Sequence, residues 1–303
     1  MKLIELEVHS DLSERILYNS ALPMYIGQDE LRFFKGFAPA CHWHPDLELM
    51  VIIDGEMDFY VNGERVSLKE GEGIFVNSKR LHYFASAKEL NCVYIVAVIH
   101  PSLLGSDLHD GKKNFDTLFG FSKEDYLFLS PEIEWQKEVM YKIIRLCNVV
   151  AKQNYNPLRL ISKVNSICAD ISDNIKTNIH QQKDEDLWFI VCNMTGFIQK
   201  NFAGKISLNE IAAAGSVCRT QCCKLFSKYT NQTPTAFLTQ YRISKSCEML
   251  TESKMSITEI AMACGFQSPS YFTQVFHEKL GLTPKAYRSQ SVLMLRSPGV
   301  LDS

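Results

Sequence analysis

The sequence predicts an α+β chain: an N-terminal antiparallel β-barrel with a helical hairpin, then an all-α domain holding two helix-turn-helix motifs. Three observations carry that prediction. Residues 31–100 break into short apolar runs separated by turn residues about every ten positions, the rhythm of a small antiparallel barrel or sandwich. From residue 131 the apolar positions recur at three- and four-residue spacing, the stripe of amphipathic helices. Finally, residues 207–237, SLNEIAAAGSVCRTQCCKLFSKYTNQTPTAF, recur as residues 256–287, SITEIAMACGFQSPSYFTQVFHEKLGLTPKAY.

In the barrel region, Met57–Val61 and Val66–Leu68 flank Asn62-Gly63, a hairpin signal because both residues tolerate positive φ. Glu70–Gly73 marks a further turn, and Val93–Ile99 reads as a buried strand rich in β-branched residues. Glu132–Lys152 and the segment opened by Asn156-Pro157 form the helical hairpin, whose apolar face either covers the barrel or pairs two subunits. The polar stretch Ser172–Asp186 reads as a linker. The expected division is an arm over 1–30, barrel 31–130, hairpin and linker 131–186, helical domain 187–290 and tail 291–303.

At 303 residues, with 46% hydrophobic and 22% charged residues, the chain has room for two globular domains. No secretion signal is visible in MKLIELEVHSDLSER, and the longest apolar runs are too short for a bilayer, so a cytoplasmic protein without membrane contact is expected. The ten cysteines lack a CxxC pair and read as reduced, mostly buried thiols. Charge is uneven: residues 1–186 hold 20 Lys/Arg against 28 Asp/Glu, whereas residues 187–290 hold 11 against 5. A basic rear half suits a polyanionic partner.

Each repeat copy reads as helix, tight turn, helix. Ser256 with Glu259 forms a capping box, Gly265 supplies a left-handed turn residue, and Ser268-Pro269 opens the next helix. Thr233-Pro234 and Thr283-Pro284 open a further helix in each copy. This geometry inserts its second helix into a major groove. Arg219, Thr220, Gln221 and Lys224 project from one such helix and Ser268, Ser270, Tyr271 and Gln274 from the other, side chains suited to base edges and phosphates. The helix over 235–251 could space the pair about 34 Å apart, one DNA turn. An α-helical repeat without a nucleic-acid role is the alternative, disfavoured by the charge.

Over residues 187–290, and most closely in SITEIAMACGFQSPSYFTQVFHEKLGLTPKAYR, the chain resembles the DNA-binding domain of the AraC/XylS transcription regulators. That resemblance implies promoter DNA as partner, with base contacts at Thr220, Cys223 and Lys224 and at Pro269, Ser270, Tyr271 and Gln274. It also implies a homodimer and, if the protein activates, contact with RNA polymerase.

In the front half, His42-x-His44-x3-Glu48-x6-Gly55 resembles the first signature of cupin barrels, and Gly73 with His82 a degraded second one, Ser78 and Arg80 replacing the usual Pro and Gly. In metal-bearing cupins these positions hold the ion, so His42, His44, Glu48 and His82 form a candidate transition-metal set. The favoured reading needs no cofactor: His42, Trp43, His44, Glu48, His82, Tyr60 and Tyr83 contact a small-molecule effector such as a carbohydrate, with Phe59, Phe75 and Tyr94 as further aromatic candidates. Mutual satisfaction of these polar groups is a third possibility. The arm, through Ile4, Leu12, Ile16, Leu17 and Met24, is expected to fold over the pocket. Together these readings describe a ligand-responsive transcriptional regulator, an activator by family default, and not an enzyme. The rival is a metal-dependent cupin dioxygenase or isomerase with a helical appendage.

Overall fold

The computed structural model describes residues 6–9, 12–34, 37–39, 41–86, 90–177, 182–230 and 232–289, without the side chains of 182–186 and 252. Two compact units divide the chain: Met1–Cys192 with Ser227–Asn231, and Asn193–Phe226 with Gln232–Ser303.

The first unit contains β1 (Met24–Glu30), β2 (Leu47–Asp54), β3 (Glu56–Val61), β4 (Glu64–Lys69), β5 (Gly73–Val76), β6 (His82–Ala85), β7 (Val93–Ile99), α1 (Gly111–Phe119), β8 (Tyr126–Leu129), α2 (Glu134–Ala151) and α3 (Pro157–Asn174). Five strands form one antiparallel sheet in the order β1-β7-β2-β5-β8, and β4-β3-β6 form another. The β3–β4 hairpin turns at Asn62 and Gly63, whose φ angles of 48° and 86° are both left-handed.

Strand alternation gives the larger sheet two apolar faces. Met24, Ile26, Leu47, Leu49, Ile95 and Ala97 pack against Val139 and Ile143 of α2 and Leu160 and Val164 of α3. The helical hairpin therefore covers the barrel. On the other face Met50, Tyr94, Val96 and Val98 share the barrel interior with Met57, Phe59, Val61 and Phe84 of the smaller sheet.

Two expectations change. Residues 24–30, assigned to the arm, form β1 and pair with β7 along its length. The polar stretch assigned to the linker is partly helical: α3 runs to Asn174, held by buried Ile171 and Ile175, and helix resumes at Gln182. Ile4 and the tail 291–303 lie outside the described residues.

Helix α4 (Gln182–Asn201) spans the division between the units. After it come α5 (Leu208–Ala214), α6 (Arg219–Thr230), α7 (Pro234–Glu252), α8 (Ile257–Ala263) and α9 (Pro269–Leu280), with residues 284–289 again helical. Both capping boxes form, Ser207 with Glu210 and Ser256 with Glu259. Thr233, Ser268 and Thr283 each accept a backbone N–H of the helix they open. At the second copy's turn Gly265 has φ 77°, and a Cβ there would lie 2.3 Å from the Phe202 carbonyl oxygen, so only glycine fits. The apolar stripe of the second copy, Ile260, Ala261, Cys264, Phe272, Val275 and Phe276, packs with Ile243 and Leu250 of α7.

Candidate functional site

The His42–His44 segment is extended and bridges to His82, the backbones exchanging hydrogen bonds of 3.0 and 2.8 Å. The rings of His42 and His82 consequently meet edge-on, with centroids 4.3 Å apart and planes at 64°. Glu48, early in β2, points to the same place. Its carboxylate lies 3.1 Å from His44 Nε2 and 3.3 Å from His82 Nε2. His42, His44, Glu48 and His82 are all buried, at most 4% exposed, and one ligand atom from each lies within 4.8 Å of the others.

Hydrogen bonding fixes the rings. His44 Nδ1 sits 3.2 Å from the Asp46 carbonyl oxygen and His82 Nδ1 2.8 Å from that of Arg80. A carbonyl only accepts, so both Nδ1 atoms carry the proton and both Nε2 atoms face Glu48. Burial disfavours the Glu48 carboxylate, but His82 and His44 outweigh it and hold the acid well below its ordinary range. Burial likewise opposes charge on His44, yet Glu48, Asp46 and Glu14 raise its pKa.

The departure from the second cupin signature is structural. Arg80, 1% exposed, pairs with Asp125 and donates to the carbonyls of Ser78, Gly120 and Lys123 at 2.7, 3.3 and 3.2 Å. Its guanidinium also lies 4.7 Å from the centre of the Phe121 ring. A buried cation thus holds the 120–125 loop beside His82.

Sequence reasoning missed Glu14. The Leu12–Glu14 segment runs beside Trp43, with hydrogen bonds from Trp43 N to Leu12 O (2.9 Å) and from Glu14 N to Trp43 O (2.8 Å). The Glu14 carboxylate then reaches His42 Nε2 at 3.1 Å, and burial pushes its pKa up to about 7. Nothing local in DLSERIL marks that role, because it depends on pairing with a segment nearly thirty residues away.

Beside this cluster is a cavity of about 210 Å³. The arm supplies Leu6, Glu14 and Ile16, β1 Tyr25 and Asp29, β2 Glu48 and Met50, β6 Phe84, and β7 Tyr94, Val96 and Val98, with Phe34 beside them. Of the expected effector residues, His42 and Glu48 line it, while His44 and His82 pair with Glu48 without lining the cavity. Tyr94 lines it as expected.

Three expected contacts are corrected by strand parity, since neighbouring residues face opposite ways. Trp43 points away from His42 and His44 and meets the Trp188 ring edge-on at 4.9 Å. Tyr60 and Tyr83, directly paired across β3 and β6, stack at 4.5 Å on the face opposite Phe59 and Phe84 and do not line the cavity. Phe59 is a core residue of the barrel, and Phe75 packs on the helix side against Phe119.

On α6, Arg219, Thr220 and Lys224 are exposed and Gln221 and Cys223 half-buried, while Cys222, Leu225 and Phe226 are buried. On α9, Ser270, Tyr271 and Gln274 are exposed and Phe272, Val275 and Phe276 buried. Half-buried Ser268 spends its oxygen as the helix cap, accepting from Tyr271 N at 3.2 Å, which leaves its O–H as donor. Gln274 donates to Glu278 at 2.9 Å within the helix.

Residues 211–290 match the helix-turn-helix domain family and residues 32–98 the cupin domain family. The uncharacterized HTH-type transcriptional regulator YdeC of Bacillus subtilis (strain 168) is 28% identical over 269 residues, covering 85% of this chain and 88% of its own. The melibiose operon regulatory protein of Escherichia coli (strain K12) is 24% identical over 260 residues, covering 84% of each chain. A solved structure of ToxT from Vibrio cholerae O395 covers 88% of this chain and 99% of its own, at 16% identity and a TM-score of 0.43, too distant to bear on either site.

Proposed function

We propose that this chain is a DNA-binding transcriptional regulator of the AraC type with a cupin domain, and that a small molecule in the barrel cavity modulates its hold on promoter DNA. The carrying observation is the coexistence, in one chain, of a cavity lined by buried polar groups and two helices whose early turns expose polar side chains. Arg219, Thr220, Gln221 and Lys224 of α6, and Ser268, Ser270, Tyr271 and Gln274 of α9, make the DNA contacts. The effector touches His42 and Glu48 and binds one arrangement of the chain better than another. At about 210 Å³ the cavity is below the roughly 300–1,000 Å³ of pockets for drug-sized ligands, so the effector is a small metabolite. The chain acts as a cytoplasmic homodimer, each copy reading a half-site, and works by recruiting RNA polymerase; it is not an enzyme. Among the described residues no helix is long and apolar enough to cross a membrane.

A second reading, a transition metal held by His42, His44, Glu48 and His82, is favoured by the spacing of their ligand atoms within 4.8 Å. The donor set fits such an ion: His44 and His82 keep Nδ1 protonated and aim Nε2 inward, and His82 Nε2 has no hydrogen bond of good geometry. Bound there, an ion would supply a Lewis acid. A gel-shift assay on the DNA upstream of the protein's own gene, run beside elemental analysis, separates the readings. A shifted band without stoichiometric metal supports the regulator with an organic effector. Stoichiometric metal with no shift contradicts it.

A further inference from the structure

The cavity's two ends are not alike. At one end Glu48 is compensated by His44 and His82, and Glu14 has His42 Nε2 at 3.1 Å. At the other, Asp29 has a single hydrogen bond, accepted from Tyr25 at 2.9 Å, and among the described residues no cation pairs with it. Burial raises the Asp29 pKa, against the lowering effect of the Tyr25 hydrogen bond.

The setting of Asp29 is built. Tyr25 and Asp29 share the inner face of β1, and the Tyr25 ring passes over Gly27, where a Cβ would lie 2.8 Å from its hydroxyl. Directly across the sheet from Asp29 is Tyr94, 1% exposed, whose side chain lines the same cavity. Three rings continue the wall: Tyr94 meets Phe84 at 5.4 Å and 72°, and Phe84 meets Phe34 at 5.8 Å and 87°. A carboxylate without a cationic partner among the described residues, a tyrosine directly across the sheet from it and aromatic faces around one small cavity are the elements of an ammonium site. An anionic ligand would face Asp29, Glu14 and Glu48, and among the described residues no Lys or Arg pairs with Asp29 to offset them. Among the described residues the guanidinium at the cavity is that of Arg15, which is two-thirds exposed and lies 3.7 Å from Glu7.

Resting on the reading of this cavity as the effector site, we infer that the effector is a small organic ammonium ion with an apolar body. Its cationic head pairs with Asp29 and its body lies against Phe34, Phe84 and Val96.

Three probes of one carbon skeleton test the charge requirement on the full chain by calorimetric titration: phenethylammonium, 2-phenylethanol and phenylacetate. The ammonium should bind about tenfold or more tighter than the alcohol, and the acid should not bind. Asp29→Asn should bring the ammonium to the alcohol's affinity; should that variant fold poorly, Tyr94→Phe should weaken ammonium binding several-fold while keeping the ring. Equal or tighter binding of the alcohol or the acid, binding of none of the three, or full ammonium affinity in Asp29→Asn overturns the assignment. A cavity-filling Val98→Trp separates the two levels. If the acid binds and loses affinity in Val98→Trp, the cavity stands and the ammonium class is wrong. If Val98→Trp and Asp29→Asn both bind the ammonium as well as the parent does, it sits elsewhere and the cavity reading fails too.

Discussion

The two units dispose of their polar residues in opposite ways. The barrel takes His42, His44, Glu48, Arg80 and His82 inside, none more than 4% exposed, and sets them against each other and the backbone, with His82 Nε2 left without a hydrogen bond of good geometry. The helical unit keeps an apolar interior, with Ile260, Phe272 and Phe276 fully buried, and leaves Arg219, Thr220, Lys224 and Ser270 in solvent. A small molecule can be surrounded, so its recognition groups must be desolvated in advance. A polymer is met from outside, so its recognition groups need only a rigid support. Changes inside the barrel should therefore be felt as stability, and changes on the outer helices as affinity.

The largest effect should come from Arg80→Ala. Removing one side of a buried ion pair costs about 3–5 kcal/mol and here also strands the carbonyls of Ser78, Gly120 and Lys123. Urea unfolding would read it; a loss below about 1 kcal/mol, the range of an exposed pair, would break the comparison.

Next is the pH response of the arm. Undocked, Glu14 has a pKa near 4.5, and docked about 7, so docking takes up a proton. Arm docking should be strongest below pH 4.5 and weaken from there to about pH 7, by up to about 3 kcal/mol, then level off. Protection of residues 12–17 against hydrogen exchange, taken relative to the free-chain rate at each pH, should be weaker at pH 8 than at pH 5, and Glu14→Gln should flatten the difference. Weaker protection at pH 5 than at pH 8 would reverse the sign and contradict the burial of Glu14.

Smaller again is Glu48→Gln. It removes the charge facing two imidazoles and should cost about 1–3 kcal/mol, reducing effector response while basal DNA binding persists. Collapse of basal binding would make Glu48 a purely structural residue. Smallest in stability is Lys224→Ala, expected within about 0.5 kcal/mol of the parent in urea because the side chain is exposed.

What was legible in the sequence follows the same division. The helical unit is written locally. Ser256 and Glu259, Gly265 with its positive φ, and Ser268-Pro269 each announce a cap or turn within four residues. The histidine and glutamate cluster was visible because His42, His44 and Glu48 fall within seven residues. The rest of the cavity is non-local: Asp29 enters it only because β1 pairs with β7, and Glu14 only because the arm lies along Trp43. Tyr60 and Tyr83 were a readable error. Met57, Phe59 and Val61 already mark the inner face of β3, so the residue between the last two had to point out.

The most direct test of recognition from outside is a fluorescence-anisotropy titration of upstream DNA across salt concentrations, for the parent and for the Arg219→Ala, Lys224→Ala double variant. Phosphate contacts by both side chains predict a steep fall of affinity with salt in the parent and a logarithmic slope shallower by about two in the variant. Identical slopes and affinities would contradict the assignment of α6 to DNA.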